Sequence, residues 1–304
     1  MRKTGYEKKI VAFIDILGFK NIVENTDKAF SIIEIVSEIK KSKKEFIKEM
    51  SAKEIEVTWF SDCIVVSAPL DIYYVDFILD IIQQMQCELI KNKVLIRGGI
   101  EIGDCFHKGE KLFGPAMNEA YRLESKIATV PRIVLSKELI KYIKESQRIE
   151  EKHQEDNFTY NLEVCNENEL ANITEYYISE VTIASQIFER LIIKDDDGYY
   201  FINYLDEIIY TCIHTASYEK EIIKSHDGTI VDTSYQAFKE ICESWYIDII
   251  EPIQNFIKEN LKGNDMNVLL KYVWVKDYYN RCLESYKSDL SDEFESDFYW
   301  KLFV

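Results

Sequence analysis

"VAFIDILGFK", residues 11–20, decides the fold, and Asp15 is its centre. Four apolar or small residues, Val11 to Ile14, run into a carboxylate, and Gly18 and Phe19 follow at once. This reads as a buried strand ending in an acid, then a turn and a helix. The layout suits a metal–phosphate site, because a carboxylate holds a hard cation and N–H groups at a helix N-terminus favour phosphate oxygens. Asp also ends many surface strands simply to start a turn, so the stretch needs partners elsewhere in the chain.

Outward from it, residues 29–49 place Phe30, Ile33, Val36, Ile39 and Phe46 at helical spacing, which predicts an amphipathic helix lying on a sheet. "IEVTWF" (55–60) and "CIVVSAP" (63–69) read as two strands joined at Ser61-Asp62. A second helix over 71–91 is N-capped by Asp71, and "VLIRGGIEIG" from Val94 to Gly103 is a strand. Its Gly98-Gly99 pair marks a bulge or a close backbone approach. In "KLFGPAMNEAYRLESKIA" (111–128), Gly114 makes a turn and Pro115 takes the first helical position, where its missing N–H costs nothing. "RIVLS" is a further strand, 137–147 a helix and Tyr176–Ile183 a late strand. The order β-α-β-β-α-β with an extra αβ unit is an α+β, ferredoxin-like plan over residues 1–185.

From residue 186 the character changes. "DDDGYYFINYLDEIIY" (195–210) is a turn leading into apolar periodicity, and 205–224, 233–261 and 266–287 read as long helices. Ile241, Trp245, Ile249, Ile253 and Phe256 form one apolar stripe among them. Residues 186–304 are therefore expected to be an α-helical C-terminal region packed on the first domain.

Composition narrows the classes. With 47% apolar residues and only four Pro and ten Gly in 304, the chain can bury a large core and is neither disordered nor turn-rich all-β. A formal charge of −17 repels nucleic acid and anionic membrane surfaces, so neither is an expected partner. Seven scattered Cys with no CxxC pair predict reduced thiols rather than a disulfide framework or zinc site. No stretch reaches the ~18–20 uninterrupted apolar residues of a membrane span. A cytoplasmic protein is expected.

Two more stretches carry chemistry. Strand order places Asp62, at the hairpin turn, beside the strand that ends in Asp15. Two carboxylates on neighbouring strand ends can hold two divalent ions that bridge triphosphate oxygens. The alternative for Asp62 is an ordinary turn residue. Asn118 and Arg122 are four apart and project from one helix face, where an amide and a guanidinium can stabilise charge on a ribose oxygen and a phosphate. Their alternative is a solvated face with Arg122 paired to Glu119 or Glu124.

Taken together, "FIDILGF", "FSDCIVV", "RGGIEIG" and "FGPAMNEAYRLES" resemble the class III nucleotidyl cyclases, over roughly residues 9–136. That family shows an Asp in D-I-x-G-F, a second Asp at a hairpin turn, and N-x-x-x-R before L-E-S. The resemblance implies a ferredoxin-like class III cyclase core. In it Asp15, Asp62 and the Ile16 carbonyl hold two metal ions, Mn²⁺ or Mg²⁺. Gly18, Phe19 and Lys20 cradle phosphates, while Asn118 and Arg122 steady the transition state. It further implies a head-to-tail homodimer in which Asn118 and Arg122 serve the other subunit's site.

There are departures from the family pattern. Ser61 stands where Gly usually precedes the second Asp, and Lys20 where Thr follows G-F. At the base-reading positions adenylate cyclases carry Lys and Asp, and guanylate cyclases Glu and Cys; here Thr58 and Lys111 match neither purine code. "FGPAMNEAY", "DDDGYYFINYL" and the helical tail resemble the bacterial pyrimidine cyclases of the Pycsar anti-phage systems. Those make cyclic UMP or cyclic CMP for a separate effector protein. A Lys111 ammonium only donates, which suits uracil O4 better than the cytosine amine and favours UTP over CTP. Trp59 and Arg97 are neighbouring candidates for the same base pocket. An adenylate cyclase with an atypical pocket, or an inactive cyclase-fold regulatory module, are the alternatives.

Other residues read as structural. His107 in a polar turn and His153 in a charged run are expected at the surface, and Cys63 is expected to be a strand thiol rather than a nucleophile. Asp195–Asp197 before Gly198 is expected to be a solvated turn, because it lacks the further ligands of a calcium loop.

Overall fold

β1 (Glu7–Ile16) is buried on both faces, which is why its sequence runs apolar without alternation. Ile10, Ala12, Ile14 and Ile16 point into the larger core, and Val11 and Phe13 into a second layer with Val65, Cys105, Ala116 and Ala120. The computed structural model describes residues 5–49, 55–164, 182–212 and 246–286, with backbone alone over 38–49 and 155–164. Through β4 the described elements run as follows. After β1 come α1 (Phe19–Val23), α2 (Thr26–Glu49), β2 (Glu56–Phe60), β3 (Cys63–Pro69), α3 (Ile72–Lys91) and β4 (Ile96–Lys108).

These first four strands lie in the order β2-β3-β1-β4, each pair antiparallel. α3 presents Val75, Ile78, Leu79, Ile82, Met85 and Leu89 to the core in a helical stripe, and the Tyr73 N–H donates to its cap, Asp71 Oδ1, at 3.0 Å. α2 differs from the expected register. Among its described side chains Ile32 and Val36 are buried, whereas Phe30 and Ile33 face solvent; Ile39 and Phe46 carry no described side chains.

β5 (Lys111–Phe113) hairpins back onto β4, and α4 (Pro115–Arg122) then lies across the β1–β4 face. α4 ends in a wider π-type turn over Leu123–Ile127. The close approach expected of the glycine pair is real. A Cβ on Gly99 would sit 2.4 Å from both the Ala120 carbonyl oxygen and Leu123 Cβ, and one on Gly98 2.6 Å from the Phe13 carbonyl.

β6 (Ile133–Leu135) runs parallel to β4, and α5 (Lys137–Val164) extends well past the expected residue 147. Of the late strand Tyr176–Ile183, residues 176–181 lie outside the described ones. Ile183 opens a short helix, α6 (Ile183–Gln186), capped by Thr182.

The chain beyond 186 is not helical throughout. β7 (Ile192–Lys194) and β8 (Tyr200–Ile202) form a hairpin that joins β6, so the mixed sheet continues across residue 185 as β6-β8-β7. Three-residue strands are too short to show a period of two, and the apolar run after Tyr199 hides them.

Helix α7 spans 204–212, α8 is Glu251–Asn260 and α9 is Met266–Ser285. The expected stretch 213–245, with Ile241 and Trp245, lies outside the described residues. α7, α8 and α9 share a core with Val134 of the sheet and with Leu95 just before β4, and Ile253, Phe256 and Tyr278 are part of it. Asp195 is not a solvated turn residue. Its carboxylate meets the buried Arg132 guanidinium, accepts from Trp274 Nε1 at 3.1 Å and pairs with Arg281, while Asp197 also meets Arg132. The turn thereby ties α9 to the sheet.

Candidate active site

β1 carries Asp15 to the edge of the α4 face, directly opposite Cys63 on β3 and Arg97 on β4. The β2–β3 hairpin brings Asp62 to the same edge, and the Ile16 N–H donates to the Asp62 carbonyl at 2.9 Å. One donor atom each from Asp15, Asp62 and Cys63 lies within 4.8 Å of the others. The turn closes with Ser61 at φ 53°, a left-handed conformation that a Gly would adopt more cheaply.

The donor set fits a hard divalent cation at two of its positions. Two carboxylates supply oxygen, and a backbone carbonyl, phosphate or water would supply the rest. Cys63 does not join them. Burial first, then the Asp62 charge, pushes its thiol up to about 12, so it stays protonated and its Sγ–H points to Asp62 Oδ1 at 3.5 Å. A protonated thiol is neither a nucleophile nor a ligand for magnesium.

Arg97 is committed to the acids rather than open to a base. Its Nε donates to Asp15 Oδ2 at 3.0 Å, and its Nη2 lies 2.7 Å from Glu124 Oε1 in an ion pair without hydrogen-bond alignment. Glu124 is 3% exposed, and burial raises its pKa against the pull of Arg97, with Asp15 and Asp62 adding to the rise. Glu124 is not among the expected site residues. Its signal is its place on the α4 stripe, since Ala116, Ala120 and Glu124 recur every four residues on the buried side.

Gly18, at φ 72°, turns the chain from β1 into α1; Phe19 packs its ring on the core and Lys20 is exposed. Asn118 and Arg122 are exposed on α4, and neither touches Asp15 or Asp62 among the described contacts. Arg122 grips Glu119 with two contacts, Nε to Oε2 at 2.8 Å and Nη2 to Oε1 at 2.6 Å, and this bond raises the guanidinium pKa further. Tyr121 sets the helix on β1 through an edge-to-face contact with Phe13, ring centres 5.3 Å apart.

Of the remaining candidates, Thr58 lies on the Asp15 face and Trp59 does not, while Lys111 pairs with Lys108 and so faces away from Leu112 and His107. Thr58 donates its hydroxyl proton to the Gly109 carbonyl at 2.7 Å, and Gly109 N–H donates to Glu56 at 3.1 Å, so the β4–β5 turn carrying Lys111 is stapled to β2. Trp59, one residue on, faces the opposite side of the sheet, where it packs on the main core and donates Nε1–H to the Ser61 carbonyl at 2.7 Å. His107, expected at the surface, is buried instead: β4 runs on to Lys108 and turns it inward beside Thr58 and Ser67. Alternation along β4 from Arg97 would have placed it on this face.

A family model described as the adenylate and guanylate cyclase catalytic domain matches residues 1–178. No curated protein matches the chain. One similar solved structure is the crystal structure of the catalytic core of a rhodopsin-guanylyl cyclase with converted specificity in complex with ATPalphaS. It is 22% identical, with 46% of this chain and 82% of that chain covered and a TM-score of 0.32.

Proposed function

The chain belongs to the family of adenylate and guanylate cyclase catalytic domains, and from that premise we propose that it is a pyrimidine nucleotide cyclase. It converts UTP, or CTP, to the 3′,5′-cyclic monophosphate and pyrophosphate. The observation that carries the reading is the convergence of Asp15 and Asp62, 47 positions apart in sequence, on one edge beside the turn at Gly18.

In the reaction the ribose 3′-oxygen loses its proton and attacks the α-phosphorus. The bond from that phosphorus to the bridging oxygen breaks, and pyrophosphate leaves with the electron pair. Asp15, Asp62 and the Ile16 carbonyl would hold two divalent ions, Mn²⁺ or Mg²⁺, which when bound supply charge neutralisation and lower the pKa of the attacking hydroxyl. Gly18, Phe19 and Lys20 bind phosphate by backbone and ammonium. Asn118 and Arg122, solvent-facing on α4, would serve the site of a second copy in a head-to-tail homodimer on a ferredoxin-like core. There Arg122 would exchange Glu119 for a phosphate oxygen, as a guanidinium fork readily does.

Thr58 and Lys111 support a pyrimidine over a purine, because they match neither purine pattern. The likeness to the Pycsar cyclases supports a role as signal generator in anti-phage defence, with the cyclic nucleotide acting on a separate effector.

The test is a product assay with ATP, GTP, CTP and UTP in Mn²⁺ and in Mg²⁺. A cyclic product from UTP or CTP alone is expected, and Asp62→Asn should abolish it while the protein stays folded. Product from ATP alone would make the chain an adenylate cyclase. No product from a folded, nucleotide-binding dimer would make it a regulatory module.

A further inference from the structure

His107 is 4% exposed, and each of its ring nitrogens faces a hydroxyl at 2.8 Å: Nε2 faces Thr58 Oγ1 and Nδ1 faces Ser67 Oγ. Thr58 has one hydroxyl proton, and the Gly109 carbonyl takes it at 2.7 Å. The contact with Nε2 therefore works only if the imidazole donates. With Nε2 protonated, a neutral ring leaves Nδ1 as an acceptor, and the Ser67 hydroxyl supplies the matching proton. Burial favours that neutral ring and lowers the His107 pKa; Glu56 acts against it, the nearby Lys9 acts in the same direction, and a bond to the Gly109 backbone also acts against it. The tautomer with Nε2 protonated satisfies all three hydrogen bonds of the relay at once.

The outcome at Thr58 is a hydroxyl whose proton is spent and whose first lone pair is filled. One lone pair is left, and it can only accept. Register places Thr58 on the same sheet face as Asp15: Thr58 opposes Val65, Val65 opposes Phe13, and Asp15 follows Phe13 by two.

Resting on the nucleotide-cyclase reading above, we infer that Thr58 is a specificity-determining acceptor for an N–H on the Watson–Crick edge of the base, and that His107 is the positioning residue that fixes its polarity. A pyrimidine supplies this N–H from uracil N3 or from the cytosine 4-amine. Losing the relay frees the hydroxyl to rotate and blurs the reading.

The experiment compares affinities by calorimetry for pairs in which that N–H is blocked or removed: UTP against N3-methyl-UTP, and CTP against its 4-deamino analogue. The wild-type ratio for the base in use should be about tenfold or more. Thr58→Val keeps the shape and removes the acceptor, so the ratio should fall by about tenfold, while Thr58→Ser keeps it. His107→Leu should lower the ratio with Thr58 untouched. His107→Gln, which returns an N–H near the Nε2 position, should restore it and guards against a folding defect. The uracil and cytosine pairs tell the two N–H sources apart. An unchanged ratio in Thr58→Val, or in a folded His107→Leu, overturns the inference. A chain that binds nucleotide but forms no cyclic product sinks the enzyme reading alone, and one that binds no nucleotide sinks both.

Discussion

Replacing Arg97 by Met removes the one cation that stands between Asp15 and Glu124 and keeps most of the stem. The three side chains are 26%, 18% and 4% exposed, so Glu124 is the charge that water cannot reach. Stripping one partner from a fully buried pair costs about 3–5 kcal/mol; with Arg97 a quarter exposed, about 2–3 kcal/mol at pH 8 is the expected loss. The loss depends on pH in a known direction. Glu124 already has a raised pKa in the folded protein, with Arg97 the influence that restrains it, and the neutral thioether side chain would let it rise further. A carboxyl with a folded pKa above its unfolded value binds more protons folded than unfolded between the two, so stability falls as pH rises through that window. The deficit of the variant should therefore be largest above the raised Glu124 pKa and shrink as pH falls toward the ordinary Glu value. What remains there, about 1 kcal/mol, is the lost hydrogen bond to Asp15. Urea unfolding of both proteins from pH 8 to pH 5, at one protomer concentration, reads the difference directly. Adding Glu124→Leu to the variant should recover most of the loss at pH 8. A deficit independent of pH, or a double variant no more stable than the single, would refute the account of Glu124 as a buried charge held by Arg97.

Gly99→Ala forces a methyl against the Ala120 carbonyl and Leu123, so α4 must lift from β4; a loss of about 1–3 kcal/mol in urea unfolding is expected, with reduced turnover because Asn118 and Arg122 move with the helix. Ser61→Gly relieves the left-handed residue at φ 53° against a larger unfolded-state entropy, so a net gain of about 0.5 kcal/mol in the same assay is expected, whereas Ser61→Val should lose more than about 1 kcal/mol. Arg132→Met leaves Asp195, which also anchors Trp274 and Arg281, without its buried cation; a loss of about 3 kcal/mol is expected, and hydrogen exchange should show α9 loosening before the sheet.

What is legible in the chain is whatever writes itself locally. The apolar run of β1, the Ser61-Asp62 hairpin, the Asp71 cap and the Gly114-Pro115 helix start each announce a backbone state through a few adjacent residues, and each stands where expected. The two acids of the site follow, because strand order alone places them together. The residues that escape are those whose meaning lies in a partner far along the chain. His107 reads as a turn residue because "DCFHKGE" is polar, yet its partners are Thr58 and Ser67 on strands formed 40 residues earlier or more. Asp195 reads as solvated in a run of three acids, but Arg132 lies 63 residues away. Trp59 shows the converse. Adjacency to Thr58 makes it a pocket candidate, while a period of two sends neighbours to opposite faces, so adjacency along a strand is evidence against a shared site. The same rule, applied from Asp15 outward through Arg97 and on to His107, links the acids of one edge to the relay at the other on a single face.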